Sequence, residues 1–194
     1  MSRLFSIRPA ITFKGRKFKG IRGWAGKPTH PPLTDIPVAA YVLAAVFDAA
    51  SFVAGPGAGF AREAYVAGTW TITAGAIVSL PTVLTGFWDW LKSTQPATQA
   101  RRTANWHMAV MLTVTALVVI DIVLRLLDAN AAAAPGAVAV LSVIAGLLVI
   151  FGAAYGGSLV YDYGFNVETS GDHPAWHESE RDVLPGQHAS TEQK

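Results

Sequence analysis

Four long apolar segments constrain this chain more strongly than any other feature. They cover approximately residues 34–55, 64–91, 105–128 and 135–160. A helix needs roughly 20 predominantly apolar residues to cross about 30 Å of hydrocarbon, and each segment reaches that length. Backbone polar groups inside lipid must be satisfied within the chain, which a helix achieves by itself. The sequence therefore predicts an all-α fold, a bundle of four transmembrane helices.

The composition agrees with this interpretation and excludes several kinds of site. Hydrophobic residues make up 52% of the chain and charged residues 14%, whereas charged residues are about a quarter of an ordinary soluble domain. The chain contains no cysteine. Disulfides, thiolate metal sites, cysteine nucleophiles and iron–sulfur clusters held by this chain's own cysteines are therefore excluded.

The distribution of basic residues predicts the orientation of the bundle. Residues 1–34 carry eight Lys or Arg and no acid, and the connection between the second and third segments is also basic. The connections on the opposite side are short, with only Arg62 and Arg125 nearby. Cytoplasmic loops carry an excess of Lys and Arg. Both termini are therefore predicted to be cytoplasmic.

The chain divides into three parts on this basis: a basic arm (1–33), a transmembrane domain (34–161) and an acidic tail (162–194). The arm alternates basic and apolar residues, which favours binding to anionic lipid headgroups. Nucleic acid is a poor alternative for so short a segment, and a protein partner in a larger membrane complex is a fair one. Three tail histidines are weak metal candidates, with docking of the tail on the arm as the alternative: His173, His177 and His188.

The order of the segments places several metal-capable side chains at the cytoplasmic end of the bundle. They are His30, Asp35, Asp89 and His107. Imidazole and carboxylate groups bind transition metals, and imidazoles are common haem ligands. One hypothesis is haem b held by His30 and His107, and another is a non-haem metal held by all four residues. The alternative is a structural polar lock, in which Asp89 pairs with one of the histidines.

A second polar layer lies deeper in the bundle. Arg125 follows Asp121 by four residues, so an ion pair on one helix face is available. The pattern favours an Asp121–Arg125 pair that anchors the bundle. A proton or cation path that runs from Asp48 and Asp121 to the cytoplasmic residues is the other interpretation, and few polar residues of the third segment would support it.

Four motifs carry a resemblance to a known family: "HPPLTDIPVAA", "TGFWDW", "ANWH" and "YGGSLVYDYGFNVE". Over about residues 28–170 the chain resembles a bacterial family of small four-helix membrane proteins, domain of unknown function family 2231. The positions that match its pattern are His30, Asp89, His107, Gly156, Gly157 and Tyr161. The family typically has a second histidine where this chain has Asp35, so a proposal that needs two histidines on the first helix cannot apply here.

The resemblance implies a multi-pass protein of the bacterial cytoplasmic (inner) membrane. Some relatives resemble fusions to Rieske-type domains, and the bundle is similar to b-type cytochrome bundles. This implies a redox or electron-transfer subunit, and any iron–sulfur cluster would have to come from a partner. A non-catalytic accessory or assembly subunit of a larger complex is the alternative. A transporter has little support without an internal repeat, and no enzyme motif is recognisable.

Overall fold

The computed structural model describes residue 21 and residues 28–165. Four helices follow one another along the chain: α1 (His30–Ala54), α2 (Ala61–Ser93), α3 (Gln99–Leu127) and α4 (Gly136–Tyr161). Each helix is long and apolar enough to cross a membrane. The predicted all-α fold with four such helices is confirmed.

Three helices begin several residues before the apolar segments that predicted them. α1 starts at His30 because Pro31 and Pro32 occupy its first turn, where a missing N–H costs nothing and the fixed φ is already helical. α3 starts at Gln99 because the Thr98 side chain caps it and accepts from the Arg101 backbone N–H. Polar flanks thus continue the helices beyond the apolar segments.

The short connections give the bundle two distinct ends. The end that carries the α1–α2 and α3–α4 connections is called the loop end, and the end that carries His30, Tyr161 and the α2–α3 connection is called the termini end. α1 packs against α2 and α4, and α3 packs mainly against α4 and only lightly against α2. α1 and α3 therefore lie diagonally across the bundle.

The middle of the bundle is a layer of mostly small apolar side chains. Its buried members come from all four helices: Ala40, Tyr41, Ala44, Ile72, Val114, Val118, Ala145 and Val149. Large apolar residues such as Trp70 and Leu147 are exposed on the outside. A helix that is apolar on all sides is typical of a membrane span, whose outer face contacts lipid.

Polar contacts close both ends of the bundle. At the loop end, Arg62 Nη1 donates to the carbonyl oxygens of Ala129 and Ala131 at 2.8 and 2.7 Å. At the termini end, the Arg101 guanidinium lies 3.7 Å from the centroid of the Trp90 ring. The helix ends are thus fixed by side chains that reach across connections, whereas the interior is held by close packing.

Candidate functional site

Two histidines meet at the termini end of the bundle. His30 is the first residue of α1, and His107 lies in the first part of α3. Their ring centroids are 6.4 Å apart, and the ring planes are nearly perpendicular at 80°. Since α1 and α3 are diagonal partners, the two rings reach towards each other across the bundle. This arrangement is called the histidine pair.

Each histidine is oriented by a backbone carbonyl of a neighbouring helix. His30 Nδ1 lies 3.0 Å from the Thr82 carbonyl oxygen in α2, and His107 Nδ1 lies 2.8 Å from the Gly152 carbonyl oxygen in α4. A carbonyl oxygen only accepts, so Nδ1 donates in both contacts. In the neutral imidazole this leaves Nε2 as an unprotonated acceptor. A histidine held in this way is typical of metal and haem ligation.

Two glycines make room for the imidazoles. A Cβ on Gly86 would lie 2.6 Å from His30 Cε1, and a Cβ on Gly156 would lie 3.2 Å from His107 Cε1. Gly156, one of the positions that match the family pattern, thus lies against His107. Gly86 received no role from sequence reasoning, although it lies one turn after Thr82 within the "TGFWDW" motif.

The structure does not bring the other predicted site residues to the histidine pair. Asp35 is exposed, and Tyr161 is 88% exposed. The nearest atom to a Cβ on Gly157 would be in the Tyr161 ring, at 3.9 Å. The three tail histidines lie outside the described residues.

Asp89 is buried, but its hydrogen-bond partner differs from the predicted one. Sequence reasoning assigned it to His30 or His107, whereas its Oδ1 accepts from the Ile21 backbone N–H at 3.2 Å. The Ile21 carbonyl in turn accepts from the Thr29 backbone N–H at 3.2 Å. Asp89 therefore binds the backbone at Ile21 and is not a hydrogen-bond partner of the histidine pair.

Replacing Asp89 with leucine should release the Ile21 amide. A hydrogen bond to a charged group contributes about 1.5–3 kcal/mol, so hydrogen exchange of this amide should accelerate roughly ten- to a hundred-fold. Residue-resolved hydrogen exchange in detergent measures the effect. Asp89→Asn is the matched control because it keeps the Oδ1 acceptor and should retain most of the protection. Equal exchange in wild type and Asp89→Leu would contradict this assignment.

A four-residue metal site is not supported. Among residue 21 and residues 28–165, no group of three or more His, Cys, Asp or Glu side chains lies close enough together to hold a metal ion. Asp35 and Asp89 are directed elsewhere, which leaves two imidazoles. Two imidazoles without a third protein ligand suit a group that brings its remaining ligands with it, as a porphyrin does.

The deeper polar layer comes together near the loop end. Arg125 Nε donates to Asp121 Oδ1 at 2.9 Å, which forms the ion pair that their spacing predicts. Asp48 joins them and forms a second salt bridge with Arg125. Asp128, in contrast, is exposed after the end of α3. Two carboxylates thus share one guanidinium inside the bundle.

Comparison with known proteins identifies one family. The family model described as a predicted membrane protein (DUF2231) matches residues 26–169, a range that includes all four helices and both members of the histidine pair. Comparisons with curated proteins and with solved structures give no match.

Proposed function

The chain belongs to the DUF2231 family of predicted membrane proteins, and from this premise we propose that it is a membrane-embedded redox subunit that binds haem b between His30 and His107. Bound haem b would supply reversible one-electron transfer. His30 and His107 would hold the haem, and the Thr82 and Gly152 carbonyls would keep the two imidazoles in place.

The separation of the two rings is the observation that carries the proposal. A metal–imidazole bond is about 2.0–2.1 Å long, and Nε2 lies roughly 1.2 Å from its ring centroid, so two imidazoles that bind one metal ion through Nε2 have centroids at most about 6.5 Å apart. The observed separation is 6.4 Å. The two imidazoles of the histidine pair are therefore close enough together to hold one haem iron between them.

The surroundings of each ring support the same assignment. The Thr82 and Gly152 carbonyls fix the tautomer that leaves Nε2 free, and a hydrogen bond at Nδ1 also raises the basicity of a ligating imidazole. Because Gly86 has no side chain, the Cε1 edge of the His30 ring can lie directly against α2. The ligands come from two different helices, so binding would also join α1 to α3.

A non-catalytic accessory or assembly subunit is the second candidate, and one observation favours it. The bonds from His30 to Thr82 and from His107 to Gly152 each connect two helices. The same bonds would stabilise the bundle if the histidines served only as a polar lock. In that case the protein would contribute to a larger membrane complex through its lipid-facing surface and its basic arm.

The proposal includes the orientation in the membrane. The eight basic residues that precede the first span support a termini end that faces the cytoplasm of the bacterial inner membrane. Anionic headgroups of that leaflet are then the partners of the basic arm. The histidine pair would lie near the cytoplasmic surface, within reach of a soluble or membrane-bound electron donor.

Absorption spectroscopy of protein purified from haem-replete cells tests the proposal. The wild type should show the Soret band and the reduced α band of a six-coordinate, low-spin haem b, with a single haem per chain by the pyridine haemochrome. His30→Ala and His107→Ala should each lose the low-spin spectrum, because each removes one of the two proposed imidazole ligands. Added imidazole should restore part of it by occupying the vacated position.

His188→Ala is the matched control, since it removes a histidine from the tail and should leave the spectrum unchanged. Absence of a Soret band from folded wild-type protein would overturn the haem proposal. If His30→Ala and His107→Ala then lowered stability without any spectral change, the polar-lock function would be the one supported.

A further inference from the structure

The buried charged residues near the loop end form a single cluster to which all four helices contribute. It consists of Asp48 from α1, Thr69 from α2, Asp121 and Arg125 from α3, and Ser142 from α4. Asp48, Asp121 and Ser142 are fully buried, and Arg125 is 2% exposed. These five residues are called the acid–arginine cluster.

The Arg125 guanidinium lies at its centre. Nε donates to Asp121 Oδ1 at 2.9 Å, and Nη1 donates to Asp48 Oδ1 at 3.2 Å and to Thr69 Oγ1 at 3.0 Å. Nη2 donates to Ser142 Oγ at 2.8 Å and also contacts Asp48 Oδ2. A guanidinium cannot lose its proton in a protein, so these donors and this positive charge are fixed.

The Ser142 hydroxyl cannot donate a hydrogen bond to two ionised carboxylates at once. Ser142 Oγ lies 2.6 Å from Asp48 Oδ2 and also 2.6 Å from Asp121 Oδ2. A serine hydroxyl has one hydrogen to donate and two lone pairs to accept with. It can donate to one carboxylate only, so the short contact with the other requires a hydrogen on that carboxyl group. With that hydrogen present, both lone pairs and the hydroxyl hydrogen of Ser142 are used.

The charges of the cluster independently require one bound proton. Two carboxylates face one guanidinium, and both salt bridges of the cluster involve Arg125. In the part of the chain that the structure describes, the other ionisable group beside the guanidinium is Tyr65 of α2, whose ring centroid lies 5.6 Å from the guanidinium carbon. Burying an uncompensated charge in an apolar interior is strongly unfavourable. One added proton makes the cluster neutral.

We propose that the acid–arginine cluster is a proton-binding site that holds one proton between Asp48 and Asp121 through the Ser142 hydroxyl. The protonated carboxyl donates to Ser142 Oγ, and the Ser142 hydroxyl donates to the ionised carboxylate. When the acid passes its proton to Ser142 Oγ, the serine passes its own hydrogen to the other carboxylate, and the net charge is unchanged. This function does not depend on haem binding.

The surrounding layers indicate the side from which the proton is exchanged. Towards the termini end, the mid-bundle apolar layer, which includes Ala44 and Val118, covers the cluster. Towards the loop end, a thinner layer of Tyr65, Ala134 and Val138 covers it. Asp48 lies six residues before the end of α1, about 9 Å along the axis, but 18 residues after His30, about 27 Å. The loop end is therefore the nearer side for proton exchange.

Infrared spectroscopy of the reconstituted full-length protein tests the proposal. All spectra are recorded in an Asp89→Asn background, because Asp89 is the remaining buried aspartate within residues 28–165. At neutral pH we expect one carbonyl-stretch band from a hydrogen-bonded carboxylic acid, with a downshift in D₂O. Asp48→Asn and Asp121→Asn should each abolish it, because the single remaining carboxylate is neutralised by Arg125.

Two further variants distinguish a proton shared through Ser142 from a carboxyl group that is simply buried. Ser142→Ala should keep the band at full intensity but shift it to higher frequency, because neutrality still requires the proton while one hydrogen bond is lost. Asp35→Asn is the matched exposed control and should leave the band unchanged. Absence of the band from the Asp89→Asn parent would overturn the proposal. Persistence of the band in folded Asp48→Asn or Asp121→Asn would overturn it as well. If neither Asn variant folds, the parent band and the Ser142→Ala shift still decide.

Discussion

Replacing Arg125 with glutamine should lower the free energy of unfolding by about 3–5 kcal/mol, the range observed when one partner of a buried ion pair is removed. The loss is expected because Asp48 and Asp121 would remain buried without their counter-ion and without four of its donor contacts. Unfolding in mixed micelles of increasing SDS content, followed by far-UV circular dichroism and tryptophan fluorescence, measures the change.

Arg125→Lys is the control for charge in this experiment. Lysine retains the positive charge but presents a point charge in place of a planar fork, so it should lose clearly less stability than the glutamine variant. Adding Asp48→Asn to Arg125→Gln should recover part of the loss, since one of the two acidic groups that lost the Arg125 donors is then removed and the two changes are coupled. An Arg125→Gln variant as stable as wild type would show that the cluster is not a buried ionic site.

Replacing Gly75 with alanine should destabilise the protein by about 1–3 kcal/mol, the usual cost of overpacking a well-packed interior. A Cβ at this position would lie 2.7 Å from the Ala40 Cβ and 3.0 Å from Tyr41 Cε1. Neither neighbour can yield easily, because Ala40 is short and Tyr41 is buried. Relief therefore requires α1 and α2 to separate, which reduces their contact along the bundle.

Gly157→Ala is the matched control for the Gly75 substitution, since it makes the same chemical change in another helix. The closest atom to its new Cβ would be in the Tyr161 ring at 3.9 Å, an ordinary van der Waals contact. Its SDS unfolding midpoint should not fall below the wild-type value, because alanine favours a helix interior more than glycine does. Equal midpoints for the Gly75 and Gly157 variants would contradict the close approach of α1 and α2.

The two polar sites differ in whether their hydrogen-bonding groups are satisfied within the bundle. The histidine pair lies at the termini end and leaves two nitrogen acceptors free for an external group, whereas the acid–arginine cluster satisfies its donors and acceptors internally with one proton. Asp121 is 14 residues after His107 on α3, about 21 Å along the helix. The mid-bundle apolar layer lies between them, so each site can be tested without altering the other.

The sequence alone was sufficient to predict the four membrane-length helices. Hydrocarbon thickness sets the length of an apolar span, and helical hydrogen bonds form within each segment, so both properties are local to the chain. The depth of each polar residue also followed from its place in its segment. The same reasoning located His30 and His107 at one end and Asp121 and Arg125 near the other.

Only the tertiary structure decided which residues of equal depth meet. Asp35 is five residues after His30, which turns it about 140° around α1 and away from the pair. Asp89 is seven residues after Thr82, about 10 Å further along α2, where it binds the Ile21 amide from 68 residues earlier. Asp48 reaches Arg125 across 77 residues of sequence. Rotation about each helix axis and the choice of neighbouring helices depend on packing of the whole bundle, which short-range patterns along one segment do not contain.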